Sequence, residues 1–111
     1  MGTSENNGVN YVVELTKKCA SEYKKLGKRG DPNLLREIAE YIEQLKTNPN
    51  LGEPLIYEQL KGMRSIHLTR YHFRILYVVR DNPEHKVIIL KIANRKDFYS
   101  DYARYLIDIE Q

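Results

Sequence analysis

Cysteine is nearly missing from this chain: Cys19 is the only one in 111 residues, so no internal disulfide can form. The three histidines, His67, His72 and His85, are scattered without the spacing of a metal site, and no metal is expected. Long apolar runs are missing too. The longest candidate, Val87 to Ile92, is broken by Lys91 and has strand length, whereas a membrane span needs ~20 apolar residues. Met1 to Asn10 is polar, which excludes a secretory leader, and Asn6 stands where myristoylation needs Ser or Thr. No paired carboxylates or glycine-rich phosphate loop appears, and Gly27 to Gly30 reads as a short turn between helices. These absences point to a cytoplasmic protein, off the membrane and without a cofactor.

What is present is charge, unevenly spread. Residues 1 to 58 carry eight basic and nine acidic side chains, whereas residues 59 to 105 carry ten basic against four acidic, a net of +6. A basic working surface built by the second half, attractive to a polyanion or an acidic protein segment, competes with an ordinary solvated charged face. The length suits one domain, expected over residues 10–111 behind a disordered lead-in at 1–9.

Hydrophobic periodicity sets the elements. Tyr11, Val12, Val13 and Leu15 form a short strand-like run, and Thr16 can cap a helix whose apolar positions are Cys19, Tyr23 and Leu26, with Ala20 beside them and Gly27 and Gly30 closing it. Asp31-Pro32 starts a second helix with the stripe Leu34, Leu35, Ile38, Ile42 and Leu45, ending by Asn48-Pro49-Asn50. Leu51 to Gly62 reads as a loop. The period then falls to two: Ile66 and Leu68 alternate with Ser65 and His67, while Phe73, Ile75, Tyr77 and Val79 alternate with Arg74, Leu76, Val78 and Arg80. Val87 to Ala93, apolar on both faces, suits an interior strand, and a last amphipathic helix is expected from about Asp97. The fold class is α+β: an antiparallel-dominated sheet of about four strands in the order β-α-α-β-β-β-α. The helical hairpin covers one face and leaves the other free.

Four segments in this order resemble toxins of the RelE/ParE superfamily. They are Asn48-Pro49-Asn50-Leu51-Gly52-Glu53-Pro54-Leu55, Leu60-Lys61-Gly62-Met63-Arg64-Ser65, Tyr71-His72-Phe73-Arg74-Ile75-Leu76-Tyr77 and Ile92-Ala93-Asn94-Arg95-Lys96-Asp97-Phe98-Tyr99. The resemblance implies a helical hairpin on one face of a sheet, a basic groove on the other, and an antitoxin that covers the groove. Its ribonuclease members cut messenger RNA in the ribosomal decoding site. On this sequence the matching residues are Arg74, Arg95 and Tyr99, with His67 where a catalytic lysine often stands. Ser65 at a second basic position and Asn94 where many relatives have histidine depart from the pattern. The superfamily also contains gyrase-binding poisons that cut nothing, and an inactive binding scaffold is a third alternative.

The chemistry asked of these residues is physically reasonable. RNA is cut when its own 2′-hydroxyl attacks the adjacent phosphate, so the protein need only stabilise charge and move protons. Arginine stays protonated and binds two phosphate oxygens at once, which suits Arg74 and Arg95. Strand alternation alone sends Arg74 to the open face, because Phe73, Ile75 and Tyr77 must face the helices. His67 lies on the same face, where an imidazole can exchange protons near neutral pH. Tyr99 can transfer a proton or stack on a base, or else pack in the core. Lys61, Arg64, Arg70 and Lys96 are read as phosphate-positioning charges.

Overall fold

The computed structural model describes residues 10–29, 31–55, 62–68, 72–81 and 84–94, with the backbone alone at residue 29. Strand β1 (Val12–Leu15) runs into helix α1 (Lys17–Arg29), where the Thr16 hydroxyl accepts a hydrogen bond from the Cys19 amide at 3.2 Å. Helix α2 (Pro32–Leu45) starts as the sequence expects: the Asp31 carboxylate accepts from the amides of Asn33 and Leu34, and proline takes the first helical position, where its missing N–H costs nothing. Strands β2 (Glu53–Pro54), β3 (Met63–His67), β4 (Phe73–Arg80) and β5 (Lys86–Asn94) complete the described chain.

The strands form one sheet in the order β1-β5-β4-β3-β2. Strands β2 to β5 pair antiparallel with their neighbours, while β1 lies parallel to β5, matching Val13 to Val87 and Leu15 to Ile89. Both helices lie on one face. Cys19, Leu34, Ile38 and Leu45 from the helices meet Ile66, Leu68, Ile75, Tyr77, Val87, Ile89 and Ile92 from the sheet in a single buried cluster. The apolar stripe read for α2 is therefore the core contact, with Leu35 and Ile42 half-buried at its margins.

Four details differ from expectation. The sheet has five strands, because Glu53 and Pro54 pair with Ser65 and Arg64 inside what reads as a loop. Helix α1 runs through Gly27 to Arg29, since the chain continues its hydrogen-bond ladder past a glycine that lowers but does not abolish helix propensity. Ala20, placed beside the apolar positions of α1, is exposed. Finally, the face away from the helices is not wholly open: Met63, Leu76 and Leu90 project there and are at most 2% exposed. Their apolar surface is poorly suited to water, so only part of that face is left for polar chemistry. The terminal helix expected from Asp97 lies outside the described residues.

A bulge interrupts the central pairing. Tyr77 sits opposite Ile89 and Leu76 opposite Lys91, so Leu90 is the extra residue on β5. Beyond it β5 has passed the end of β1, and Lys91 reaches back to α1, where its ammonium meets the Glu22 carboxylate at 3.0 Å.

Candidate functional site

The sheet register decides which side chains share a place. His67 on β3 is the direct cross-strand partner of Arg74 on β4, and Arg74 in turn is paired with Ala93 on β5. Cross-strand neighbours on one face hold their Cβ atoms about 4.5–5.5 Å apart, so the imidazole and the guanidinium rise side by side. His67 is exposed and Arg74 half-buried, and the small Ala93 leaves the row open toward the end of β5. Both residues point away from the helices, as alternation requires of neighbours to Ile66 and Ile75.

A second row lies beside the first. Glu53 pairs with Ser65, and Ser65 with Leu76. Ser65 is only 3% exposed, so this position offers little to a ligand. Glu53 is exposed and stands diagonal to His67, at the ~7–8 Å typical of such neighbours. Between the end of α2 and the edge of β3 is a cavity of about 290 Å³, lined by Tyr41, Leu51, Gly52, Glu53, Ser65, Ile66 and His67. Sequence reasoning passes over Glu53 because its segment reads as a loop. The signal is its place in Gly52-Glu53-Pro54, to which only the strand pairing gives a position.

Tyr77 explains how that edge is held. Its ring is fully buried, and its hydroxyl donates to the Pro49 carbonyl at 2.8 Å while accepting from the Gly52 amide at 2.7 Å. Burial raises the phenol above its ordinary range, and the Gly52 amide and the Arg64 guanidinium work in the opposite direction. Arg64, expected among the phosphate contacts, projects to the helix side instead, where its Nε donates to the Gly52 carbonyl at 3.0 Å. It fixes the segment that presents Glu53. Gly52 has no room for a side chain: a Cβ there would lie 2.7 Å from the Ser65 carbonyl oxygen and 2.9 Å from the Tyr77 ring.

The basic surplus of the second half is thus partly consumed. Arg64 holds a loop, Lys86 lies near Glu14 and Glu84, and Lys91 is paired with Glu22. Of the remaining expected site residues, Lys61, Arg70, Arg95, Lys96 and Tyr99 lie outside the described residues. Arg95 follows Asn94, whose Cα partner on β4 is Phe73, next to Arg74. No described helix is long and apolar enough to cross a membrane.

A sequence profile of the family described as ParE toxin of type II toxin-antitoxin system, parDE, matches residues 13–99. Among solved structures, the RelBE2 toxin-antitoxin complex of Mycobacterium tuberculosis includes a chain with 28% identity and a TM-score of 0.63, covering 86% of this chain and all of its own. A mutant of the Escherichia coli toxin RelE in the free state superposes with a TM-score of 0.68 at 12% identity, over 92% of this chain and 99% of that one. A chain of the chromosomal ParDE system of Pseudomonas aeruginosa does so with a TM-score of 0.59 at 20% identity, over 78% and 98%. No curated protein sequence matches. The last two likenesses are of fold alone.

Proposed function

The chain belongs to the ParE toxin family of type II toxin-antitoxin systems, and within that family we propose that it is an endoribonuclease that cuts messenger RNA on the ribosome. The observation that carries this reading is the direct pairing of His67 with Arg74 on the open part of the sheet. A proton-transfer group beside a permanent cation is what phosphodiester cleavage needs, and that combination supports the nuclease reading.

In the proposed reaction the 2′-hydroxyl of one nucleotide attacks the adjacent phosphorus while a base removes its proton. The bond from phosphorus to the 5′-oxygen then breaks, and that oxygen takes up a proton, leaving a 2′,3′-cyclic phosphate and a 5′-hydroxyl. Arg74 stabilises the charge that builds on the phosphoryl oxygens. His67 moves a proton, and Glu53 stands where its carboxylate can orient the imidazole or accept the 2′-hydroxyl proton itself. Arg95 and Tyr99 complete the set by the family resemblance, Arg95 as a second phosphate-binding cation and Tyr99 as a base-stacking or proton-transfer group. Lys61, Arg70 and Lys96 position the strand through its phosphates. The solved RelBE2 and ParDE relatives were determined with or as toxin-antitoxin systems, which supports a cognate antitoxin that covers this basic face here as well.

The test is to express the chain in growing cells and map transcript ends. New ends inside translated regions, dependent on Arg74, are expected; intact transcripts in arrested cells contradict the reading. The profile match to ParE toxins favours one competing reading, a gyrase poison without nuclease activity. Purified gyrase assayed beside a reconstituted translation reaction separates the two, because only one should be inhibited.

A further inference from the structure

Helix α1 is the most one-sidedly charged element of the described chain. Its sequence sets Lys17, Lys18, Lys24, Lys25, Lys28 and Arg29 against a single acid, Glu22, and that acid is already engaged by Lys91. At 100° per residue, Lys17, Lys24 and Lys28 fall within about 40° of one another, directly opposite the core positions Cys19 and Leu26. All three are exposed, and none has an ion pair among the described residues. The row extends over about 16 Å of helix, with Lys24 and Lys28 about 6 Å apart in rise.

Stability does not account for this arrangement. The first turn of α1 holds two lysines and no acid, so its charge opposes the helix dipole. Lys24 and Lys28 are a like-charged pair one turn apart, which also disfavours the helix. A solvated face would normally mix signs, whereas this row is lysine throughout.

We propose that the exposed face of α1 binds the sugar-phosphate backbone of folded RNA, as a second contact surface on the opposite side of the sheet from His67 and Arg74. A row of point charges spaced along about 16 Å of helix matches a polymer with a phosphate at each nucleotide, and lysine serves that purpose without reading sequence. Protein interfaces centre their binding energy on desolvated anchors in well-packed pockets. The apolar hollow of about 650 Å³ between the helices, lined by Ala20, Ser21, Tyr23, Lys24, Gly27 and Leu35, shares Lys24 with the row but reaches neither Lys17 nor Lys28. An enzyme charged on both sides of its sheet suits a substrate presented inside walls of RNA. The inference takes its setting from the ribosomal reading above, yet its test does not depend on cleavage.

The purified full-length chain is titrated with a fluorescent RNA hairpin over a range of salt concentrations, beside a variant with Lys17→Gln, Lys24→Gln and Lys28→Gln and a second with arginine at the same three positions. The glutamine variant should bind about tenfold more weakly or worse at low salt and lose about three from the log-log salt slope. The arginine variant should keep both, and polyglutamate of matched charge should compete poorly. Unchanged affinity and slope in the glutamine variant overturn the proposal, as does polyglutamate that displaces the hairpin as well as unlabelled RNA does, which would assign the row to an acidic protein. Messenger cleavage in a translation reaction is followed in parallel. If the wild-type chain cuts nothing while the slope still falls, the nuclease reading fails and the lysine row stands; if cleavage occurs while the slope is unmoved, the row alone fails.

Discussion

At the scale of single residues, the most consequential side chain outside the proposed reaction is Tyr77. Its hydroxyl satisfies two backbone groups at buried positions, the Pro49 carbonyl and the Gly52 amide, so Tyr77→Phe leaves both without a partner and is expected to cost about 2–4 kcal/mol in urea denaturation. Because that segment presents Glu53, the same variant should lower cleavage more than its stability loss explains. Cys19 gives a second residue-scale expectation. Burial, then the nearby Glu22 charge, push its thiol from 9.0 up to about 12, so it should resist thiol reagents in the folded state. The unfolded thiol ionises first, so stability is unaffected below pH 9 and falls between about 9 and about 12. Cys19→Ala should flatten that part of the pH profile measured by thermal unfolding. Arg74 is legible from alternation alone. The same parity sends Arg64 inward with Ile66, but counting charge without parity places it among the phosphate contacts.

At the scale of elements, the two helices, β4 and β5 are legible because each is long enough to show its period and carries its own punctuation, such as Asp31-Pro32. Strand β2 is not, since two residues show no period and proline at an edge reads as loop. The parallel pairing of β1 with β5 joins the two ends of the described chain and has no local signal. Glycine misleads in α1: Gly27 reads as a stop, yet it lies within the helix, and a methyl group added there would meet nothing within 4 Å. Gly27→Ala should therefore raise stability by ~0.5–1 kcal/mol in urea denaturation. The charge pattern of the same helix makes a sharper expectation. Lys17→Glu restores the sign that the helix dipole favours and should gain about 0.3–1 kcal/mol while weakening RNA hairpin binding. A gain in stability with a loss of binding is the signature of a residue kept for its ligand.

At the scale of the whole molecule, the distribution of charge along the sequence and its distribution in space are different things. The second half is basic by count, but Arg64, Lys86 and Lys91 are occupied by a loop carbonyl and by carboxylates. The first half is nearly neutral by count because eight of its nine acids lie outside α1 and offset the six basic residues within it, and that cancellation hides the lysine row. Only pairing register and helix geometry separate these contributions. Of the site, the His67 and Arg74 row follows from strand period, and its neighbour Glu53 emerges only from the register of β2 against β3. The molecule then carries the proposed reacting row on one face of its sheet and a charged helix on the other.

The central claim, that the row of His67 and Arg74 is reacting chemistry, is tested most directly by single-turnover cleavage of ribosome-bound messenger with purified wild-type, His67→Ala and Arg74→Ala chains of equal thermal stability. Arg74→Ala is expected to slow cleavage by roughly 10²–10³, and His67→Ala by roughly 10²–10⁴ with a change in the pH dependence of the rate. A folded Arg74→Ala chain that cuts at the wild-type rate would contradict the account.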